Sequence, residues 1–180
     1  MKSSGIKTST VLASFLLAAC LSMRAEVKLP AIFSDGMVMQ QQTNANLWGT
    51  ATPNKKVTVT TGWNGKQYAV TADKNGSWKL SVSTPEAGGP YTITFDDGTP
   101  KTLNNILIGE LWLCSGQSNM EMPMKGFKNQ PVENANMDIL RSKNPHIRLF
   151  TVKRTSTITP QNDVVGSWKE AAPVSVRDFS

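Results

Sequence analysis

Residues 106 to 123 read Ile106-Leu-Ile-Gly-Glu-Leu-Trp-Leu-Cys-Ser-Gly-Gln-Ser-Asn-Met-Glu-Met-Pro123. The apolar run from Leu111 to Cys114 reads as a buried strand that stops at Ser115-Gly116. Gly116 permits a tight turn, since it has no Cβ to obstruct one. Ser118 or Asn119 can then cap a following helix. A strand that turns through glycine into a helix presents a short polar side chain at the C-terminal edge of a sheet, where open α/β sheets do chemistry. Ser118 is the candidate nucleophile, with Gly116 and Gln117 shaping the turn. Its backbone N–H is the candidate oxyanion donor, and that of Asn119 a second.

Upstream of this stretch the pattern is different. Val57-Thr-Val-Thr60, Gln67-Tyr-Ala-Val-Thr71, Trp78-Lys-Leu-Ser-Val82 and Tyr91-Thr-Ile-Thr-Phe95 alternate apolar and polar residues, the period of half-buried strands. Trp63-Asn-Gly65, Lys74-Asn-Gly76, Ala87-Gly-Gly-Pro90 and Asp96-Asp-Gly98 separate them. Asn-Gly and Asp-Gly suit the positive φ of hairpin turns. Residues 26–104 are therefore expected to form an all-β sandwich. Trp48, Trp63 and Trp78 in this half suit core anchoring, with a sugar-stacking face as the competing reading.

Downstream, Pro131 suits the first turn of a helix. Val132, Ala135, Ile139 and Leu140 share one helical face. Glu133 early and Arg141 late agree with the helix dipole. Asn144-Pro145 ends that helix, and Ile147-Arg-Leu-Phe-Thr-Val152 is the next strand. Strand, helix, strand predicts a βαβ unit and a parallel sheet. Lys153 to Ser180 reads as loop without a closing strand. Two strands and one helix leave the α/β domain of residues 105–180 unfinished.

Composition narrows the class. Hydrophobic residues make up 39% and charged residues 18%, which suits a folded protein rather than a disordered one. The formal charge of +6 includes Lys2, Lys7 and Arg24; the remaining 16 basic and 13 acidic residues leave +3. No basic run remains to suggest nucleic acid. Residues 1–25 resemble a secretory signal, with Lys2 and Lys7 before the apolar stretch Val11 to Leu21. That stretch falls short of the roughly 20 residues of a membrane span. Leu17-Ala-Ala-Cys20 has the form of a lipobox that would lipidate Cys20, whereas cleavage after Ala25 would release a soluble chain. Both routes lead outside the cytoplasm.

A serine needs a base, and the base needs an orienting carboxylate. His146 is the lone histidine, but it precedes a strand expected to run parallel to the first. That places it at the sheet edge opposite Ser118. Cys114 with His146, and Ser115, are weaker nucleophile candidates; Cys114 inside an apolar strand reads as a buried small hydrophobe. Gly116-Gln-Ser-Asn-Met120 departs from G-x-S-x-G at Met120, which argues against an α/β-hydrolase elbow. Spacing alone leaves Ser118 between a functional serine and a helix-capping one.

The run Gly109 to Pro123 resembles the first motif of the sialate O-acetylesterase family, within the SGNH hydrolase group. Leu29-Pro-Ala-Ile-Phe-Ser-Asp-Gly-Met-Val-Met-Gln-Gln41, Leu47-Trp-Gly-Thr-Ala-Thr-Pro53, Asp73-Lys-Asn-Gly-Ser-Trp78, Ala87-Gly-Gly-Pro-Tyr91 and Ile147 to Val152 resemble further family segments. The resemblance implies a β-sandwich followed by a flavodoxin-like hydrolase domain, represented here by its N-terminal part. It implies a serine acetylesterase acting on acetylated glycans, sialic acids or hemicelluloses, without metal or organic cofactor. Ser118 matches the family nucleophile. The remaining oxyanion donors and the catalytic Asp and His belong to later motifs, so the 180-residue chain alone is expected to be inactive. A non-catalytic glycan-binding module and a structural envelope lipoprotein are the competing classes.

Overall fold

Alternation decides the first half of the molecule. In β3 (Lys56–Thr61) the odd positions Val57, Val59 and Thr61 are buried and the even ones are not. β4 (Gln67–Thr71) pairs antiparallel with it, Val57 opposite Val70 and Val59 opposite Tyr68. The connection closes through Gly65, whose φ of +67° suits glycine. Thr61 is buried, and its hydroxyl lies 2.7 Å from Asn64 Oδ1 within the same turn. A computed structural model describes residues 26–180. The targeting segment and Cys20 lie outside those described residues.

β6 (Gly88–Asp96) flanks β3 on its other side, with Val59 opposite Phe95. β7 (Pro100–Gly109) follows antiparallel, and β1 (Val38–Gln40) completes the sheet by a parallel pairing, Met39 opposite Ile108. The order is β1-β7-β6-β3-β4. β2 (Asn44–Thr50) and β5 (Ser77–Ser83) form a separate antiparallel ribbon, Leu47 opposite Leu80. The Asp96-Asp-Gly98 turn joins paired neighbours, as hairpin chemistry predicts. The Lys74-Asn-Gly76 turn instead carries the chain from the five-stranded sheet to the ribbon. Local turn chemistry sets a reversal, and the choice of partner belongs to the core.

That core is shared. Leu47, Trp78 and Val82 from the ribbon belong to one apolar cluster with Val57, Val59, Ile93, Phe95 and Ile106 from the sheet. The Trp78 and Phe95 rings lie 5.9 Å apart. Burying such a side chain contributes about 1.5–3 kcal/mol each.

Regular structure thins after Gly109. The helix α1 (Ala135–Arg141) is followed by β8 (Asn144–Phe150), β9 (Trp168–Ala171) and the short helix α2 (Pro173–Val176). Four features of this half differ from what the sequence pattern predicts. Leu111 to Cys114 is not a strand, and Trp112 and Leu113 are 81% and 94% exposed. The β1–β7 ladder ends at Gln40 opposite Gly109, so no strand among the described residues continues alongside. The predicted parallel βαβ unit is therefore replaced: β8 pairs antiparallel with β9, Phe150 opposite Trp168. The tail holds β9 and α2 rather than loop alone. The helix does not begin at Pro131, because Asn134 stands at φ +58° immediately before α1 and interrupts a helical path. Ala135 is buried, but Leu140 is 67% exposed, so the expected apolar face is only partly covered.

The β8–β9 ribbon is fastened to the strand-rich body by polar contacts. The Arg148 side chain, 2% exposed, places Nη2 3.1 Å from Asn105 Oδ1 and 3.2 Å from Glu170 Oε1. The Trp168 indole N–H donates to the Ile32 carbonyl at 2.8 Å. The Ala31 N–H donates to Asp163 Oδ1 at 2.7 Å.

Phe95 joins both sheets, so Phe95→Ala leaves a cavity no single strand can close. Denaturant unfolding followed by tryptophan fluorescence should show a loss of about 3–5 kcal/mol. A change within 1 kcal/mol, on the order of a mild surface substitution, would contradict the shared core.

Candidate functional site

Ser118 opens a single 3-10 turn, Ser118–Met120, with Gln117 at the position before it. The Met120 N–H donates to the Gln117 carbonyl at 2.9 Å, and the Glu121 N–H to the Ser118 carbonyl at 3.2 Å. The first N–H groups of such a turn have no partner inside it. Those of Ser118 and Asn119 donate to no other described backbone group. An exposed hydroxyl and two free amides therefore sit on the same turn, as acyl transfer requires of a nucleophile and its oxyanion donors.

The capping role expected of Ser118 or Asn119 does not occur. The position before the turn is Gln117, and no side chain caps it. Gly116 is the residue expected to keep the turn free of a Cβ. Its φ is not in the left-handed region, but a Cβ there would stand 2.6 Å from Met120 Cγ. Close approach of the Met120 side chain, rather than a special backbone angle, asks for glycine.

Cys114 is exposed rather than buried. It lies on the irregular segment before the turn, because the strand expected to enclose it does not form. Ser115 is likewise exposed. His146 lies on β8, exposed, with its backbone N–H donating to Asn144 Oδ1 at 2.9 Å. Among the described residues no hydrogen bond joins His146 to Ser118, Ser115 or Cys114. No cluster of three metal-ligating side chains occurs among the described residues.

The serine turn is held on both sides. Upstream, the Glu110 carboxylate accepts from Gln40 and Gln41, and these hydrogen bonds, Gln41 first, hold its pKa below the usual glutamate value. Downstream, the Met124 N–H donates to the Phe179 carbonyl at 2.9 Å and the Lys125 N–H to the Arg177 carbonyl at 3.1 Å. Lys125 also pairs with Asp178, whose hydrogen bond from Lys125 lowers its pKa. Arg154 pairs with Glu121 at the end of the turn. Sequence reading missed these supports, since each partner is at least 33 residues away in the chain. The three consecutive glutamines Gln40-Gln41-Gln42 were the one visible signal.

No protein-family model matches the sequence. Mouse sialate O-acetylesterase is 33% identical over 127 residues, covering 64% of this chain and 23% of that protein. The rat sialate O-acetylesterase is 30% identical over 147 residues, 74% of this chain and 26% of that protein. A crystal structure of a carbohydrate acetylesterase from Xanthomonas citri superposes with a TM-score of 0.77 at 30% identity, over 86% of this chain and 34% of that one. The chain belongs to the sialate O-acetylesterase family. It spans about a quarter of the length of these curated relatives. Membership bears out the resemblance carried by the Gly109 to Pro123 motif. No helix among the described residues is long and apolar enough to cross a membrane.

The downstream tether should respond to acid with a defined sign. Asp178 has a folded-state pKa below its ordinary value, so its contact with Lys125 is present above the unfolded pKa and is lost as pH falls through the folded one. Amide exchange at Met124 and Lys125, corrected for intrinsic rates, should therefore rise below the ordinary aspartate range. Asp178→Asn should remove that acid step.

Proposed function

We propose that this chain carries the nucleophile-bearing part of a carbohydrate O-acetylesterase, a serine carboxylic-ester hydrolase. Ser118 Oγ attacks the acetyl carbonyl carbon while a base takes its proton. The carbonyl electrons move to oxygen, and the N–H groups of Ser118 and Asn119 receive the oxyanion. Collapse expels the sugar oxygen, which takes the proton, and leaves an acetyl-serine that water hydrolyses. The observation that carries this reading is the free pair of amides beside an exposed serine, in a chain whose relatives are acetylesterases.

The base and its orienting carboxylate are assigned to the larger share of the family fold that this chain does not span. Exposed apolar side chains support this assignment. Trp112, Leu113, Leu140, Ile147 and Val174 all lie in the second half, whereas apolar positions of the strand-rich body are mostly covered. Residues 26–104 are read as the β-sandwich and 105–180 as the opening of the flavodoxin-like SGNH domain, with β7 passing through the junction. The substrate is an acetylated glycan, a sialic acid or a hemicellulose. Residues 1–25 are read as an export signal to the periplasm or beyond, with Cys20 as a lipid anchor if the lipobox is used.

This chain alone should show no Ser118-dependent turnover of p-nitrophenyl acetate. In a polypeptide spanning the whole family fold, Ser118→Ala should reduce acetate release from acetylated glycans roughly 10⁴-fold or more. Turnover by this chain that Ser118→Ala abolishes would show that a base is already at hand. Activity that survives Ser118→Ala in the longer polypeptide would remove Ser118 as nucleophile.

A further inference from the structure

β1 runs into three consecutive glutamines, Gln40-Gln41-Gln42, and two of them engage both ends of their amides where β7 ends. Gln40 Oε1 accepts the Leu111 N–H at 2.9 Å, and Gln40 Nε2 donates to Glu110 Oε2 at 3.1 Å. Gln41 Nε2 donates to Glu110 Oε1 at 2.6 Å, and Gln41 Oε1 accepts the Ala87 N–H at 2.8 Å. The Gln41 N–H donates to the Gly109 carbonyl at 2.8 Å. These assignments check one another. A backbone N–H can only donate, so it fixes which end of each amide is oxygen, and the NH2 end must then face the carboxylate. Turning over either amide would set oxygen against a carboxylate oxygen and nitrogen against an N–H.

The location gives this cluster its significance. Every residue from Glu110 to Glu121 is exposed. Within residues 110–116, the hydrogen bonds found among the described residues are those of this cluster. The segment that leads to Ser118 thus takes its departure angle from Glu110 and the Leu111 N–H. A surface glutamate held by lysine would swing with a flexible ammonium. Here two neutral amides, each anchored at its far end to backbone, present the donors in fixed planes. Glu86, which accepts from Gln42 Nε2 at 3.4 Å, is the other ionisable group tied into the glutamine run.

We propose that Glu110 is a positioning residue: with Gln40 and Gln41 it sets the angle at which the serine-bearing segment leaves the strand body, and so where Ser118 stands. The functional meaning rests on Ser118 being the nucleophile; the geometry does not.

Cys114 provides a native probe four residues downstream. In the full chain carrying Cys20→Ser, a nitroxide on Cys114 reports the motion of the segment by electron paramagnetic resonance. A second chain, Cys20→Ser with Cys114→Ser and Ser118→Cys, places the same label at the turn itself. Glu110→Gln supplies one acceptor where two are needed, and Gln40→Leu removes the partner of the Leu111 N–H. Each should narrow the spectrum at both sites, with circular dichroism and the thermal midpoint unchanged. The unsubstituted label should become mobile as pH falls through the lowered Glu110 pKa, and Glu110→Gln should abolish that step. If Glu110→Gln fails to fold, Gln40→Leu and the pH titration decide the matter. Identical spectra throughout, or a response at position 114 with none at 118, would overturn the proposal. Ser118→Ala should leave the Cys114 spectrum untouched, so the nucleophile assignment and the positioning role fail separately.

Discussion

The ladder between β1 and β7 runs out where Gln40 faces Gly109, and the character of the rest of the chain follows from that limit. A strand needs a neighbour for its backbone N–H and C=O groups. As far as Gly109, β7 has β6 on one side and β1 on the other, and Ile106, Leu107 and Ile108 are buried. Past it, equally apolar residues have no ladder to join among the described residues and stand in solvent. The change from core to exposed loop is a change in available partners, not in composition.

That limit also explains what was legible. In the strand-rich body each element carries its own instructions: Val57 with Val59, Trp78 with Val82 and Ile93 with Phe95 alternate, and a turn residue follows. Period and punctuation are local, so they survive without knowledge of the partner. Leu111 to Cys114 carried an apolar signal just as strong and meant something else, because an apolar run reports only that burial is favourable. The position of α1 was shifted by one residue, Asn134, whose left-handed backbone no periodicity reveals. The antiparallel β8–β9 pairing depends on Trp168 returning to Phe150 across the intervening loop, and no local pattern announces such a contact.

At the site, the residue was legible and its surroundings were not. Ser118 could be picked out because a glycine, two short polar residues and an apolar run occur together. That Gly116 leaves the turn free of a Cβ was readable, but the neighbour such a Cβ would meet, Met120 Cγ, is a through-space contact that spacing does not name. The family could be recognised from the motif as a word, without any of this physics. The motif names Glu110 but gives it no task; only the contact with glutamines some seventy residues earlier does that.

Three tryptophans tie distant parts of this chain together through their indole N–H groups. An indole N–H that is covered usually finds a hydrogen-bond partner. The Trp48 N–H donates to the Asn162 carbonyl at 3.0 Å, that of Trp63 to Ser83 at 3.1 Å and that of Trp168 to Ile32 at 2.8 Å. Two of these bonds, from Trp48 and from Trp168, cross the seam between the strand-rich body and the later segment. Trp78 is enclosed between the sheets, and its indole N–H has no hydrogen-bond partner among the described residues. Trp112 differs from all four: it is exposed and lies six residues before Ser118. With Leu111 and Leu113 it makes a run of exposed apolar side chains shortly before the serine turn in the sequence. Among the described residues the large exposed apolar side chains all fall after Gly109, whereas the strand-rich body has closed over its own.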